Sequence, residues 1–319
     1  MTPFALILDS GGVRTAPIDD AAHTNGSAAL VWIHLDANDP ATASWLADKA
    51  GLNDLVVNAL TATETRPRCE PIDTGALINM RGLAAQPETL SDALASIRLW
   101  TERGRVISVI RHDLLALPPV VAAMKAGKVL DPGDLVTALA MAITEQLDPD
   151  VADLGDLLDD CELRLDADKV FVLRRMIARG RAKAIDYRRF VVPQRQALEK
   201  LSHLDCDWLD ERDRNHLAEA ADRFARMGEE LESVRERAAL MHEQLTDLRA
   251  EVIETRALLI SVVALVFLPL TFLTGLLGMN VEGIPYAKAP WAFWGVVGVC
   301  VAIAFAITGY FMKAHWFRR

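Results

Sequence analysis

The sequence predicts an α+β soluble domain, followed by long stalk helices and then by two C-terminal transmembrane helices. Three observations carry this prediction. Strand and helix patterns alternate up to about residue 131, helical patterns alone follow to about residue 256, and two long apolar runs come last. Hydrophobic residues make up 51% of the sequence although 24% of it is charged, which is typical of a chain divided into a charged soluble part and a very apolar part.

The changes in pattern also predict where these parts begin and end. Strand patterns stop before Pro132, and the two apolar runs set the limits of the membrane helices. The predicted parts are an N-terminal α/β domain (1–131), a helical bundle with a long stalk helix (132–256), a first transmembrane helix (257–277), a connector (278–290), a second transmembrane helix (291–312) and a basic tail (313–319).

Composition and motifs disfavour several classes of function. The formal net charge of −10 disfavours a nucleic-acid partner, because nucleic-acid binding favours a basic surface. The four cysteines form no CxxC pair, which disfavours a disulfide scaffold or a zinc knuckle and favours a reducing compartment. The stretch DSGGV (9–13) lacks the Lys-Ser/Thr ending of a phosphate loop, and His34 and Asp36 are interpreted as structural. We therefore expect no enzyme and no cofactor.

The N-terminal part mixes strand and helix patterns. Apolar runs predict buried strands, and two β-rich runs around a turn with Gly104 predict a hairpin. The stretches TASWLADKAG and NDLVVNAL predict short helices. Interleaved strands and helices indicate a compact α/β or α+β domain. The strand patterns cover residues 4–9, 29–36 and 75–83, and the hairpin covers residues 96–111.

Two charged stretches occupy the helical region. We favour a solvated helix face for the acidic stretch, paired in part with the basic stretch, and keep an intracellular divalent-cation sensor as the alternative. Pro193 is expected to kink or restart its helix. The acidic stretch contains Asp148, Asp150, Asp153, Asp156, Asp159, Asp160, Asp166 and Asp168, and the basic stretch contains Arg174, Arg175, Arg179, Arg181, Lys183, Arg188 and Arg189.

Apolar residues in steps of three and four then predict a heptad-like seam. No proline interrupts this pattern before Pro269, so we expect one helix from about Asp210 to Leu277, on the order of 100 Å long at ~1.5 Å per residue. The seam favours either oligomerisation or packing on the chain's own preceding helices, so it fixes no copy number. The seam consists of Met227, Leu231, Val234, Ala238, Met241, Leu245, Leu248 and Val252.

Two runs near the C-terminus, residues 257–281 and 289–312, contain no charged residue. Each is longer than the ~20 apolar residues that cross the hydrocarbon core of a bilayer. A buried core helix is the alternative, which two such runs side by side disfavour. Aromatic residues near the ends of the second run are typical of the membrane interface. These residues are Trp291, Trp294, Tyr310 and Trp316.

Basic residues predict the orientation in the membrane. Arg249 and Arg256 precede the first run, three basic residues end the chain after the second run, and the connector has only Lys288. Since basic residues favour the cytoplasmic side, we expect both termini in the cytoplasm and the connector outside. The N-terminus has no basic leader and Asp9 interrupts its apolar run, so we expect no signal peptide.

The first run carries a stripe of small and hydroxyl-bearing residues along one face. The stripe is interpreted either as a helix-packing surface or as the lining of a pore, and periodicity leaves both open. Two spans in one chain cannot enclose an aqueous path, so a pore needs several copies in a ring. The stripe consists of Ser261, Ala264, Leu268, Thr271 and Gly275.

The tripeptide Gly278-Met279-Asn280 lies at the outer end of the first run, before a short loop and one last run. In this position it resembles the signature of the CorA metal-ion transporter superfamily. Further motifs are similar to those of the ZntB branch, the zinc transporters, and this resemblance covers nearly the whole chain. The motifs are, in order, WIHLD (32–36), ETRPR (64–68), SIRLW (96–100), PQRQAL (193–198), FLPLTFLTGLLGMN (267–280) and GIP (283–285).

Two residues of the connector depart from that branch. It commonly has NVGGIPG where this chain has NVEGIPY, so Glu282 and Tyr286 are unusual. An acidic residue two positions after the asparagine is similar to what many CorA magnesium channels carry, which keeps a CorA-type magnesium or cobalt channel as the alternative. Glu282 is interpreted either as part of a ring of acids at a pore mouth, which would raise the local cation concentration, or as a solvated loop acid.

The resemblance implies a funnel-shaped homopentamer in a bacterial inner membrane, with the soluble parts in the cytoplasm. The first transmembrane helix of each subunit would line the pore, and the second would form an outer ring. Gly278, Met279 and Asn280 would form the selectivity entrance. Leu268 and Thr271 would face the pore, which favours pore lining for the whole stripe. The implied cargo is Zn²⁺, with Mg²⁺, Co²⁺, Ni²⁺ and Cd²⁺ as alternatives.

The residues of the entrance indicate that an ion enters at least partly hydrated. Divalent cations hold their water tightly, and the amide oxygen of Asn280 can accept a hydrogen bond from metal-bound water. Cys300 is the only Cys or His between Arg256 and Tyr310, so we expect no soft cage that traps Zn²⁺ and only a modest zinc preference. A two-span membrane sensor without flux is the remote alternative, because it explains the spans but not the tripeptide.

Overall fold

The computed structural model describes residues 2–24, 28–63, 66–86, 93–164, 170–280, 283–284, 286 and 288–313. The contacts of the chain divide it into two compact units. The first comprises Met1–Leu165 and Phe171–His242, and the second comprises Asp166–Val170 and Glu243–Arg319.

A seven-stranded sheet forms the centre of the first unit. Its strands are β1 (Phe4–Asp9), β2 (Gly12–Ala16), β3 (Leu30–Asp36), β4 (Arg68–Ile72), β5 (Gly75–Leu83), β6 (Leu94–Glu102) and β7 (Arg105–Ile110). The strand order is β2-β1-β3-β7-β6-β5-β4, with β3 and β7 parallel and every other neighbouring pair antiparallel. The predominance of antiparallel pairs makes this an α+β domain.

The strands and the hairpin predicted from apolar runs are confirmed. The run at residues 75–83 forms β5 with the same bounds, and the predicted hairpin forms β6 and β7. The short helices predicted after β3 are α2 (Ala41–Asp48) and α3 (Asp54–Thr61), which follow a one-turn α1 (Ile18–Ala22).

Helices cover both faces of the sheet, which explains why its central strands are apolar almost without interruption. On one face, Leu46 of α2 and Leu60 of α3 share a core with Ile33 and Val109. The other face packs against the helical region, because a Cβ added at Gly82 would lie 3.0 Å from Ile143. That region begins with α4 (Leu117–Lys125) and α5 (Pro132–Leu163).

His34 has the structural role that the sequence predicts. It is 1% exposed, its Nδ1 lies 2.8 Å from the hydroxyl oxygen of Ser108, and the indole N–H of Trp32 donates to the same oxygen at 2.8 Å. Burial lowers the pKa of His34 to about 4, so the ring is neutral at physiological pH. These side chains tie β3 to β7 within the sheet.

Two long helices complete the helical region, α6 (Val170–Ser202) and α7 (Glu211–Leu277). The predicted long helix from about Asp210 is confirmed. Pro193 does not restart the helix, because α6 continues through it, and the alternative of a kink stays a prediction. Proline removes one backbone donor, and buried residues on both sides of it, Val191 and Leu198, hold the helix in place.

The chain itself buries most of the heptad-like seam. Ion pairs join α7 to its neighbours, at 2.9 Å between Arg223 and Asp148 of α5 and at 2.9 Å between Arg188 of α6 and Glu232. Packing on the chain's own helices therefore explains the first part of the seam. The buried seam residues are Met227, Leu231, Val234, Ala238, Met241 and Leu245, whereas Leu248 and Val252 are half-buried.

The acidic stretch is largely paired with basic residues. Asp150 accepts from Lys183 of the basic stretch and from the hydroxyl of Tyr187, and Arg237 of α7 contacts both Asp159 and Glu162. The predicted pairing with the basic stretch is thus confirmed for Lys183, while α7 supplies the other partners. Within the described residues, no group of three His, Cys, Asp or Glu side chains is placed to hold a metal ion. Asp166 and Asp168 lie outside the described residues.

The N-termini of α5 and α7 meet at a buried carboxylate. Asp213 is 2% exposed, its backbone N–H donates to Asp210, and its side chain accepts from the Asp210 N–H in return. A Cβ added at Gly133 would lie 2.1 Å from Oδ2 of Asp213, so only glycine permits this approach of α5. Burial raises the pKa of Asp213 to about 6, and the charges of Asp210, Asp131 and Asp134 act in the same direction.

This raised pKa predicts that Asp213→Asn stabilises the protein at neutral pH. The folded state holds a proton on Asp213 that the unfolded chain releases near pH 4. The stabilisation by this bound proton is present at low pH and is lost as pH rises through about 6. The free energies of unfolding of variant and wild type should therefore diverge by about 1 to 2 kcal/mol between pH 5 and pH 7.5. Melting temperatures measured across this pH range check the divergence. Asp153→Asn, on an exposed position of α5, serves as the control and should produce no such divergence.

Candidate functional site

The second unit contains the two apolar helices, the C-terminal part of α7 and α8 (Ala292–Lys313). Their most apolar 18-residue windows have mean hydropathies of 2.5 and 2.1, and no residue of either window is buried. A core helix of a soluble protein would be buried. Length, composition and exposure therefore make these the membrane-crossing candidates among the described helices.

The stripe of small and hydroxyl-bearing residues is open along its whole length. All of its members are exposed. At about 100° per residue they fall within about 80° of one another around the helix axis. The described residues therefore leave this side of the helix uncovered. The members are Ser261, Ala264, Leu268, Thr271 and Gly275.

A second stripe on α7 is half-buried, and it lies on the opposite side of the helix. Its centre is about 170° from the centre of the exposed stripe at about 100° per residue. This half-buried stripe was not predicted from the sequence, although its apolar residues recur in steps of three, four and one. The half-buried residues are Val262, Val266, Pro269, Leu270, Leu273 and Leu277.

The hydroxyl groups of Ser261 and Thr274 each bind the carbonyl that lies four residues earlier in the helix. Ser261 donates to the carbonyl of Ala257 at 2.9 Å, and Thr274 donates to the carbonyl of Leu270 at 3.0 Å. These hydroxyls keep oxygen lone pairs that can accept a hydrogen bond or contact a cation. Within the stripe, Ser261 and Thr271 therefore place oxygen atoms in the apolar part of α7.

Helix α7 ends at the predicted entrance. Gly278 donates its backbone N–H to the carbonyl of Thr274 at 2.9 Å, and Met279 and Asn280 follow beyond the last helical residue. Both Met279 and Asn280 are exposed. A Cβ added at Gly278 would lie 2.9 Å from the same Thr274 carbonyl, closer than side chains tolerate. The structure therefore gives a local reason for glycine at this position.

The connector explains one of the two departures from the family pattern. Tyr286 has a φ of +60°, which glycine adopts without strain and other residues rarely adopt. Its ring lies 5.3 Å from that of Trp291, which anchors the tyrosine at the start of α8. The demand for a positive φ could not be predicted from the sequence without this backbone. Glu282, the other departure, lies outside the described residues.

The fold and this site define a class of protein. A soluble α+β domain precedes a long helix that becomes the first of two apolar helices, and a short connector joins these two. The profile of the family described as CorA-like Mg²⁺ transporter protein matches residues 27–313.

Relatives across most of the chain agree with this match. The zinc transport protein ZntB of Pectobacterium atrosepticum is 31% identical over 286 residues, which cover 89% of this chain and 87% of that protein. The divalent cation transporter CmaX of Pseudomonas aeruginosa is 32% identical over 269 residues, covering 83% and 80%. The solved structure of full-length CmaX gives a TM-score of 0.79 at 28% identity, covering 98% of this chain and 97% of that one. The chain belongs to the CorA superfamily of metal-ion transporters, in its ZntB branch.

Gly278 and Gly275 differ in the space around them, so alanine should affect stability differently at the two positions. Gly278→Ala should unsettle the end of the helix because the new methyl group meets the Thr274 carbonyl, whereas Gly275→Ala has no atom within 4 Å to meet. Alanine also favours helix over glycine by about 1 kcal/mol. We therefore expect a lower melting temperature of the detergent-solubilised protein for the first variant and an equal or higher one for the second. Equal melting temperatures would contradict this interpretation of Gly278.

Proposed function

We propose that the protein transports divalent metal cations across a membrane, with zinc as its main cargo, through a pore that α7 lines. The outer entrance is formed by Gly278, Met279 and Asn280. The remaining part of the pore wall consists of the exposed stripe from Ser261 to Gly275.

The observation that carries this proposal is the contrast between the two sides of α7. The chain half-buries one side of the helix and leaves the small, hydroxyl-bearing stripe open about 170° away. Lipid gives no advantage to hydroxyl groups and glycine, whereas a water-filled path does. In a ring of copies, the half-buried side of α7 would pack against α8, away from the pore axis. The stripe of small and hydroxyl-bearing residues would face the axis.

The described part of the chain contains two candidate membrane helices, which cannot enclose a path, so the pore requires several copies around an axis normal to the membrane. The resemblance to the CorA superfamily supports a homopentamer. The heptad-like seam of α7 packs on helices of the same chain. Its apolar spacing is therefore no evidence for an oligomer. The membrane helices and the entrance are then the parts that must be completed by other copies.

Zinc as the main cargo is supported by the relatives whose names state zinc transport. The chemistry of the stripe limits how strong that preference is. Ser261, Thr271 and Asn280 offer oxygen atoms, and zinc is trapped best by thiolate and imidazole ligands. A pore of this composition passes a partly hydrated ion and does not hold it tightly. We expect a modest preference for Zn²⁺ over Co²⁺, Ni²⁺ and Cd²⁺.

A magnesium or cobalt channel is the second candidate, and Glu282 favours it. An acid two residues after Asn280 departs from the common pattern of the zinc branch, and the matching family profile is described by Mg²⁺. In a ring of copies, Glu282 would repeat around the mouth and raise the local concentration of any divalent cation. That effect does not discriminate among ions of equal charge.

The basic residues around the two helices support a cytoplasmic location for the soluble unit in a bacterial inner membrane. Arg249 and Arg256 precede the first membrane helix, Lys313 ends the second, and Lys288 is the only basic residue of the connector. Basic residues are enriched on the cytoplasmic side. The entrance then faces the periplasm.

The role of Asn280 is tested by uptake into proteoliposomes. Asn280→Ala should reduce the uptake of both Zn²⁺ and Mg²⁺ to the level of protein-free vesicles, because the variant has no amide oxygen to bind metal-bound water. Lys288→Ala, in the same connector, should retain uptake. Size-exclusion chromatography should give the same assembly for all three proteins. Undiminished uptake by the alanine variant of Asn280 would refute the assignment of the entrance.

A further inference from the structure

Polar residues of three neighbouring strands, β4, β5 and β6, form a row on one face of the sheet. Paired residues of neighbouring strands share a face, and the registers place Arg68 opposite Asn79, Asn79 opposite Arg98, and Arg98 opposite Val109. Arg111, which follows directly after β7 and two residues beyond Val109, extends this row. Val109 belongs to the core under α1, α2 and α3, so the row lies on the side of the sheet that α3 covers.

The chain that leaves α3 is tied to this row. Arg111 donates from Nη2 to the carbonyl of Thr61, the last residue of α3, at 2.6 Å. Asn79 donates from Nδ2 to the carbonyl of Arg66 at 2.7 Å. The row therefore lies beside the loop that joins α3 to β4.

The positive charges of Arg98 and Arg111 are not balanced by an ion pair among the described residues. Arg98 is 2% exposed, and its Nε and Nη1 are buried without a hydrogen-bond partner. Nε of Arg111 and Nε of Arg68 are buried and unpartnered as well. Arg68 lies 3.5 Å from Glu70, but over the described ranges no carboxylate forms an ion pair with Arg98 or Arg111.

Such a charge needs a counter-ion. Burial lowers the pKa of Arg98 to about 10, with further lowering by the charges of Arg111 and Arg81, so the guanidinium stays charged at neutral pH. A buried charge is costly unless it is paired and hydrogen-bonded. The fork of N–H donors on a guanidinium matches the oxygen atoms of a phosphate or a carboxylate.

We propose that Arg98 and Arg111 form a binding site for a small oxyanion of the phosphate type in the soluble domain. Arg98 supplies Nε and Nη1, and Arg111 supplies Nε while its two terminal nitrogens hold Asn38 and Thr61. The bound anion neutralises the two guanidinium groups, next to the hydrogen bonds that hold the carbonyl oxygens of Thr61 and Arg66. Free phosphate and the terminal phosphate of a nucleotide share this chemistry.

The test is the thermal stability of the detergent-solubilised full-length protein in phosphate, with ionic strength matched by chloride. An anion that binds only the folded state raises the melting temperature with its concentration. We expect this rise in wild type, its loss in Arg98→Gln, and its retention in Arg103→Gln, a matched loss of charge at a side chain that is 82% exposed. A rise with phosphate identifies the free anion, and a rise with ATP alone identifies a nucleotide.

Two outcomes would overturn the proposal. One is a wild type whose melting temperature is the same in phosphate, ATP and chloride. The other is a phosphate-dependent rise that appears only after Glu64→Gln, since the chain's own carboxylate would then occupy the site. If Arg98→Gln fails to fold, Arg111→Lys replaces it. This variant keeps the charge and removes the fork, so it should weaken phosphate binding in a calorimetric titration, and unchanged affinity would also refute the site.

Discussion

Helix α7 must be stable in water along its first part and in lipid along its last part, within one continuous run of 67 residues. The other elements of the structure are arranged around this requirement. Its first part is a charged helix whose apolar seam is buried by the chain's own helices and flanked by ion pairs such as Arg223–Asp148. Its last part has no charge and no buried residue. A helix is suited to both parts because its backbone hydrogen bonds are satisfied internally, in water and in lipid alike.

This constraint also explains how the membrane part is divided. One side of α7 is half-buried and apolar, and the opposite side carries the small residues and hydroxyl groups. Gly278 ends the helix where a side chain would meet the Thr274 carbonyl, and Asn280 follows in the exposed chain beyond it. Under the proposed function, the oxygen atoms of Ser261 and Thr271 would face the water-filled path, and the amide of Asn280 would lie at its outer entrance.

Much of this architecture was predictable from residue patterns. Continuous apolar runs gave β5 and the β6–β7 hairpin, and the uninterrupted spacing after Asp210 gave the full length of α7. Pattern alone did not decide between a kink and a restart at Pro193, and α6 continues through that residue between buried neighbours. Nor did it predict the positive φ of Tyr286 or the unbalanced charge of Arg98, since both depend on the three-dimensional backbone and on neighbours distant in sequence.

The orientation of α7 is the central claim, and the accessibility of single cysteines tests it most directly. In a background without the native cysteines, Ser261→Cys and Thr271→Cys lie on the exposed stripe, and Val266→Cys and Leu273→Cys lie on the half-buried one. A charged, membrane-impermeant thiol reagent reacts only where water reaches the side chain. We expect the reagent to modify Ser261→Cys and Thr271→Cys, with loss of cation uptake. We expect it not to modify Val266→Cys and Leu273→Cys. Equal modification of both pairs, or modification of the second pair alone, would contradict this orientation of α7.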